Sequence, residues 1–260
     1  MEERQRHFVL IHGACHGAWC WYKVATLLKC AGHKVTALEL AASGVHPKQV
    51  NDLYSFSDYY EPLMEFMMSL PPEERVILVG HSLGGLSLSV AMERFPEKVS
   101  AGVFATAFMP GPELSYFTLK EEFDRQFNSY MDMQYMFDNG PDNPPTSVLF
   151  GPNVLADKLY QLSPTEDLTL ATLLIRHLPL YDTAAVQDAI TVTEEKYGSV
   201  PRIYIVCDQD LIIKEDMQRW MVKNNPTDEV KIIAGSDHMA MFSKPQELCA
   251  CLEEIAKKYL

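Results

Sequence analysis

A serine between two glycines is the first feature of the sequence that could do chemistry. The pentapeptide GHSLG at residues 80–84 has the spacing of a sharp strand-to-helix turn that exposes the serine oxygen above a sheet. The apolar residues 76–79 predict a strand before this turn, and residues 83–94 predict a helix after it. A serine becomes a useful nucleophile when a neighbouring base takes its proton. We therefore predict that Ser82 is a catalytic nucleophile.

Two histidines follow Ser82 in the chain and are candidates for the base. A nucleophile on such a turn is followed in chain order by the acid and then by the histidine. His177 lies in a proline-rich stretch, where a surface position is the simpler interpretation. His238 follows a predicted strand at residues 230–233 and precedes the last predicted helix. That loop suits a base, so we predict that His238 activates the serine.

The acid that orients the base should follow an earlier strand. The predicted strand at residues 203–207 is followed by Asp208 and Asp210, and both carboxylates would lie at its carboxyl end. Position alone leaves both open, and we favour Asp210. Asp237 is adjacent to His238 in the chain, which is too close for its carboxylate to reach the ring nitrogen easily.

Backbone N–H groups must stabilise the negative charge that develops on the substrate oxygen. Leu83 follows the nucleophile at the start of a predicted helix, so its N–H is one expected donor. The second should come from the loop after the first predicted strand, HGACHG at residues 12–17, and we assign it to Ala14. We interpret His12 as a structural histidine of this turn.

An alternating chain of strands and helices would position these residues. Apolar runs predict six strands, and amphipathic segments between them predict helices. The strands lie at residues 7–12, 35–38, 76–79, 99–104, 202–207 and 230–233. Such alternation indicates an α/β fold with a mostly parallel six-stranded sheet flanked by helices.

The alternation stops between Pro110 and Pro179, a segment that holds eight of the sixteen prolines. Proline is excluded from central strands. Helical patterns remain at residues 113–127, 153–161 and 164–176. We predict that residues 1–109 and 180–260 form the core, and that residues 110–179 form a helical cap over the site.

Composition limits the class of protein. The 260 residues suit one large domain, and a net charge of −13 argues against nucleic acid as a partner. No apolar run is long enough for a membrane span, and the charged N-terminus lacks the apolar core of a leader peptide. The six cysteines lack the paired spacing of zinc sites. We expect a cytoplasmic protein with reduced thiols and no metal.

Several segments resemble the plant methylesterase family of the α/β-hydrolase superfamily. They include HFVLIHGACHGAWCWYK, VILVGHSLGG, KLYQLSPTEDL and DHMAMFSKPQEL, and the resemblance extends from about His7 to Leu260. The family contains esterases of methyl salicylate, methyl jasmonate and methyl indole-acetate, polyneuridine aldehyde esterase, and related hydroxynitrile lyases. The resemblance implies a catalytic triad of Ser82, Asp210 and His238, which favours Asp210 over Asp208.

The resemblance also implies the reaction. A serine carboxylesterase would hydrolyse methyl esters of small acids, with Ala14 and Leu83 as oxyanion donors and without metal or organic cofactor. The lyases of the family carry Thr at the position of Gly13 and Lys at that of Met239, so this chain is esterase-like there. The implied pocket residues are His16, Phe108 and Met239, with Phe123 and Tyr135 as further candidates.

Two other functions stay open at this point. An alkaloid-ester esterase that triggers decarboxylation would share every catalytic residue. A small-molecule receptor on a hydrolase scaffold could also keep the triad. The sequence does not identify the natural ester, and it does not decide between a monomer and a homodimer.

Overall fold

The computed structural model describes residues 5–127 and 131–259, so residues 1–4, which enter the expectation about a leader peptide, lie outside it. Its strands are β1 (His7–Ile11), β2 (Lys34–Leu38), β3 (Val76–Ser82), β4 (Val99–Ala107), β5 (Gln134–Met136), β6 (Ser147–Leu149), β7 (Leu178–Pro179), β8 (Arg202–Cys207) and β9 (Glu229–Ile233). Six of them pair in parallel in the order β2-β1-β3-β4-β8-β9. The predicted six-stranded parallel sheet is confirmed.

Helices cover both faces of this sheet. The helices of the described residues are α1 (Tyr22–Cys30), α2 (Phe56–Ser69), α3 (Gly84–Arg94), α4 (Tyr116–Gln126), α5 (Pro152–Val154), α6 (Thr165–Leu174), α7 (Thr183–Ala189), α8 (Glu215–Asn224), α9 (Ala240–Ser243) and α10 (Pro245–Lys258). Alternate side chains of β1 enter different cores, because successive residues of a strand point to opposite faces. Phe8 and Leu10 pack with α1 and α10, whereas Val9 and Ile11 pack with α2, α3 and α8.

The strand order places the functional loops at one edge. From β1 the chain adds β2 on one side of β1. It then returns to place β3 on the other side of β1, followed outward by β4, β8 and β9. In open α/β sheets, ligands bind at the carboxyl ends of the strands where the order reverses in this way. Ser82 ends β3, and the loop at residues 12–17 follows the neighbouring β1. The loops after β8 and β9 carry Asp210 and His238.

Residues 110–179 differ from the expectation of a purely helical segment. They contain α4, α5 and α6, but also β5, β6 and β7, which pair as a small antiparallel sheet. The predicted helix at 153–161 is the short α5 followed by a π-helical turn at Leu155–Leu159. Strands of two or three residues are too short to show an alternating pattern, so the sequence does not reveal them.

Two other elements differ from their predicted form. The sequence pattern predicts a helix over residues 57–69 that is opened by Ser57, but α2 begins at Phe56 and is capped by Ser55. The Ser55 Oγ accepts from Asp58 N at 3.2 Å, and Asp58 Oδ2 accepts from Ser55 N at 2.9 Å. This reciprocal capping box satisfies two orphan N–H groups of the first turn. The helix α7 was not predicted, because seven residues give little periodic signal. Among the described residues no helix is long and apolar enough to cross a bilayer.

Candidate active site

Ser82 lies on a strained turn between β3 and α3. Its φ is +53°, a left-handed value that non-glycine residues rarely adopt. The turn is tight: a Cβ on Gly84 would lie 2.5 Å from the carbonyl oxygen of His12, and a Cβ on Gly13 would lie 2.7 Å from the Cβ of Ser82. The glycines therefore let the loop after β1 approach the serine directly. Strain of this kind is typical of a functional site.

The structure brings Ser82, His238 and Asp210 into one hydrogen-bonded chain. His238 Nε2 lies 3.0 Å from Ser82 Oγ, and His238 Nδ1 lies 2.6 Å from Asp210 Oδ2. The other oxygen of Asp210 accepts from the N–H groups of Ile212 at 2.6 Å and Ile213 at 3.0 Å. All three side chains are buried. The arrangement can take a proton from the serine and hold the resulting imidazolium beside a carboxylate.

The two other aspartates near this chain have different partners. Asp208 Oδ1 accepts from the N–H of Gly235 at 2.7 Å and so joins two loops. Asp237 is fully buried; its Oδ1 accepts from Met239 N at 3.0 Å and its Oδ2 from Leu162 N at 2.9 Å. Burial raises the pKa of the Asp237 carboxyl. The geometry thus separates Asp210 from both alternatives.

Two backbone N–H groups next to Ser82 are available to an incoming oxyanion. Within residues 5–127 and 131–259, neither Ala14 N nor Leu83 N has an acceptor. Leu83 N lies at the start of α3, where helix N–H groups have no intrahelical partner. Ala14 N follows Gly13, where a Cβ would lie 2.7 Å from the Cβ of Ser82. The two predicted donors thus lie on the two segments that meet at Ser82, the loop after β1 and the start of α3.

His12 holds the peptide group that carries one of these donors. Its Nδ1 donates to the carbonyl of Gly13 at 2.8 Å, and its Nε2 accepts from the N–H of Leu40 at 3.1 Å. A planar trans peptide directs its C=O and N–H in opposite directions, so the N–H of Ala14 points away from His12. Burial lowers the pKa of His12 to about 4, so the ring is neutral at pH 7. His12 therefore orients the loop after β1.

His16, an expected pocket residue, is bound within the protein. Its Nδ1 donates to the carbonyl of Ala14 at 2.8 Å, which leaves Nε2 to accept from the hydroxyl of Tyr160 at 2.7 Å. The ring stacks on Trp19 and on Tyr160, with centroid separations of 5.3 and 5.9 Å. Both ring nitrogens are thus occupied. Tyr160 was not found from the sequence, because its partner is 144 positions away.

The other expected pocket residues lie in different surroundings. Phe108 N donates to the carbonyl of Ser82 at 3.0 Å, and its ring meets Phe123 edge-on at 5.2 Å. Met239 is completely buried in the core that packs against α1 and α10. Tyr135 is on β5, where its hydroxyl lies 3.6 Å from the sulfur of Met133. The structure therefore brings Phe123 into contact with Phe108, whose backbone adjoins Ser82.

In the part of the chain that the structure describes, no three His, Cys, Asp or Glu side chains are grouped so that they could hold a metal ion.

Comparisons with known proteins show similarity to α/β hydrolases over nearly the whole chain. Residues 8–250 match the alpha/beta hydrolase family. The chain is 62% identical to methyl jasmonate esterase 1 of Vitis vinifera over 260 residues, which cover all of both chains. A solved structure of tomato methylketone synthase I with 2-tridecanone is similar at a TM-score of 0.95 and 49% identity, over 99% of this chain and all of the other. Polyneuridine aldehyde esterase is similar at a TM-score of 0.92 and 44% identity, over 97% of this chain and all of the other.

Proposed function

This chain belongs to the alpha/beta hydrolase family, in its group of plant methylesterases, and on that premise we propose that it is a serine carboxylesterase. Its substrates are methyl esters of small hormone-like or specialised-metabolite acids, of the methyl jasmonate, methyl salicylate or methyl indole-acetate type. The products are the acid and methanol. The observation that carries the proposal is the buried chain from Ser82 Oγ through His238 to Asp210.

The first half of the reaction forms an acyl-enzyme. His238 Nε2 takes the proton of Ser82 Oγ, and the oxygen attacks the ester carbonyl carbon. Asp210 holds the His238 ring through Nδ1 and stabilises its positive charge. The carbonyl oxygen, now negative, accepts hydrogen bonds from Ala14 N and Leu83 N. When the intermediate collapses, His238 gives its proton to the leaving methoxide, and methanol departs.

The second half of the reaction releases the acid. Water enters the place vacated by methanol, and His238 takes one of its protons while the oxygen attacks the acyl carbon. The same two N–H groups stabilise the second oxyanion. Collapse breaks the bond to Ser82 Oγ, which recovers its proton from His238. The carboxylic acid leaves, and the enzyme returns to its starting state without a cofactor.

The acyl group would lie against an aromatic wall. Phe108 adjoins Ser82 through its N–H, and Phe123 on α4 packs against Phe108. Apolar walls with a few fixed polar groups are typical of small-molecule pockets. We assign Phe123, with the rest of residues 110–179, to a cap over the core formed by residues 1–109 and 180–260. Asp237, beside the base, accepts from Leu162 and Ser163 of this cap.

Methyl jasmonate is the first ester to test, since the chain is 62% identical to a methyl jasmonate esterase. We also place the enzyme in the cytoplasm, with the small ester as its partner. All six cysteines are free thiols, as is usual in reducing compartments. Burial raises the pKa of Cys15, next to the oxyanion loop, to about 12, so this thiol is not a competing nucleophile.

A second candidate function follows from the structural relatives. Polyneuridine aldehyde esterase is similar over nearly the whole chain, and a methyl ester with a carbonyl at the β position would be cleaved by the same residues. The resulting β-carbonyl acid would then lose carbon dioxide. Release of one carbon dioxide per methanol from an alkaloid carboxymethyl ester, with the hormone-type esters inert, would favour this function.

The test is a panel of methyl esters of jasmonate, salicylate and indole-acetate, together with one alkaloid carboxymethyl ester. We expect at least one to be hydrolysed with kcat in the ordinary range of ~1–10³ s⁻¹, and Ser82→Ala to be inactive. Asp210→Asn should lower kcat by about 10⁴-fold, because the ring would be held in the wrong tautomer. Asp208→Asn is the matched control; its amide oxygen can still accept from Gly235 N, so most activity should remain.

Slow hydrolysis together with tight binding would contradict the esterase proposal. If every ester is turned over slowly while one binds equally tightly to the unaltered chain and to Ser82→Ala, the protein is a small-molecule receptor on a hydrolase scaffold.

A further inference from the structure

Thr106 interrupts the pairing of β4 next to the nucleophile. Along β3 and β4, His81 pairs with Ala105 and Ser82 pairs with Ala107, so Thr106 is an extra residue without a partner in the register. Its φ is +38°, which is an outlier for a β-branched residue. Bulges beside active sites commonly redirect a side chain.

The hydroxyl of Thr106 donates to Asp210 Oδ2, the oxygen that His238 Nδ1 also contacts. The carboxylate has about four acceptor positions, and all are used, because Ile212 N and Ile213 N bind Oδ1. The two N–H groups hold one oxygen of Asp210. Thr106 holds the other oxygen beside the base.

The surrounding strands maintain the bulge. The hydroxyl of Tyr204, on the neighbouring β8, donates to the carbonyl of Ala107 at 2.9 Å. Phe108 N donates to the carbonyl of Ser82 at 3.0 Å and resumes the contact between β3 and β4 beyond Thr106. Thr106 itself is completely buried. Contacts on both sides of Thr106 thus keep its strained backbone in place. In this conformation the Thr106 hydroxyl reaches Asp210.

We propose that Thr106 is a positioning residue of the catalytic triad, whose hydroxyl fixes Asp210 Oδ2 in line with His238 Nδ1. The inference rests on the proposed function, because it assumes that Ser82, His238 and Asp210 act together. Thr106 does not reach the substrate in this scheme. It acts through Asp210, so its loss should lower the rate of chemistry and leave substrate binding nearly unchanged.

The test compares Thr106→Val, which removes the hydroxyl at constant shape, with Thr106→Ser, which keeps it. We expect Thr106→Val to lower kcat about tenfold, the usual size for a hydrogen bond to a charged group, with KM nearly unchanged. Thr106→Ser should retain most of the kcat that Thr106→Val loses. Thr36→Val on β2 is the matched control: it removes a threonine hydroxyl that contacts His7 of β1, and kcat should stay near that of the unaltered chain. Thr106→Ala is used if Thr106→Val fails to fold.

A second readout does not depend on the natural substrate. A fluorophosphonate labels an activated serine, so its rate of reaction with Ser82 should fall in Thr106→Val and recover in Thr106→Ser. If no ester is hydrolysed but labelling shows this pattern, the esterase function fails and the role of Thr106 stands. If folded Thr106→Val matches the unaltered chain in kcat and labelling, or if Thr106→Ser is as impaired as Thr106→Val, the proposal is overturned.

Discussion

His81 lies against His238 in the closed interior of the site. Their ring centroids are 4.7 Å apart, and His81 Nε2 donates to the backbone carbonyl of His238 at 2.8 Å. Burial lowers the pKa of His81 well below its usual value, so the ring is neutral. A neutral ring matters here, because a second positive charge at this distance would oppose protonation of His238 during catalysis. His81 thus supports the base without competing for its proton.

Replacing His81 by Phe should slow the reaction. The substitution keeps an aromatic ring beside His238 but removes the donor to its carbonyl, so the loop that carries the base loses one fixed point. We expect kcat to fall about tenfold and the free energy of unfolding to fall by about 1–3 kcal/mol. Trp21→Phe is the control, because it changes a ring that packs edge-on against His81 at a centroid distance of 6.4 Å but leaves the His81 donor to His238 in place. Equal kcat in folded His81→Phe and the unaltered chain would contradict this role.

The two ends of β1 offer a matched pair of buried histidines. His12→Phe removes the donor to Gly13 O, so the N–H of Ala14 loses its fixed direction, and we expect kcat to fall roughly ten- to a hundredfold. His7, which contacts Glu74 and Thr36 at 2.7 and 2.8 Å, is remote from the nucleophile. His7→Phe should lower stability but leave the kcat of the folded protein intact. The expectation fails if both variants lose kcat equally.

The stability of the protein should fall as the pH is lowered below neutrality. Burial lowers the pKa of His12 to about 4 and that of His16 to about 3, whereas the unfolded chain takes up these protons near pH 6.5. The unfolded state therefore binds more protons between about pH 6.5 and 4. Each histidine then contributes a loss of about 1.4 kcal/mol per pH unit as the pH falls through this window.

Urea unfolding at a series of pH values measures this loss. His12→Phe and His16→Phe should each make the dependence of unfolding free energy on pH shallower by about 1.4 kcal/mol per unit below pH 6.5. Other groups contribute equally to all three proteins, so the difference in slope isolates the histidine. Parallel curves for the unaltered chain and both variants would contradict the assignment.

The aromatic wall should govern substrate affinity. Phe123→Ala removes the ring that packs against Phe108, and we expect KM for a bulky methyl ester to rise about tenfold, from lost apolar contact of ~1.5 kcal/mol or more. Phe117 is on the same helix but is 44% exposed, so Phe117→Ala is the control and should leave KM unchanged. If the two variants raise KM equally, the wall is not part of the pocket.

The sheet could be predicted because its strands are short apolar runs. Phe8 to Ile11 are completely buried, as expected of a strand covered on both faces. The small sheet of residues 110–179 could not be predicted in this way, because Pro179 and the three-residue β5 and β6 carry no period. The start of α2 could not be predicted either, because Ser55 and Ser57 are both possible N-caps and the reciprocal hydrogen bonds between Ser55 and Asp58 decide between them.

Part of the site could be predicted from the sequence. Ser82 and His238 follow from the turn and the chain order, but Asp208 and Asp210 share the same loop. What separates these two aspartates is the direction of each side chain, and spacing does not show this direction. His81, Tyr160 and Thr106 were missed as contributors, since each acts through a residue more than a hundred positions away. Such contacts depend on the folded sheet.

The most direct test of the central claim is to trap the acyl-enzyme. The enzyme is mixed with the best methyl ester, quenched in acid during the first turnover and digested, and the peptide containing Ser82 is weighed by mass spectrometry. We expect an added mass equal to that of the acid minus water on Ser82, with one methanol released per acyl group, and no adduct in Ser82→Ala. Full hydrolysis by Ser82→Ala, or an acyl group on another residue, would contradict the acyl-enzyme mechanism.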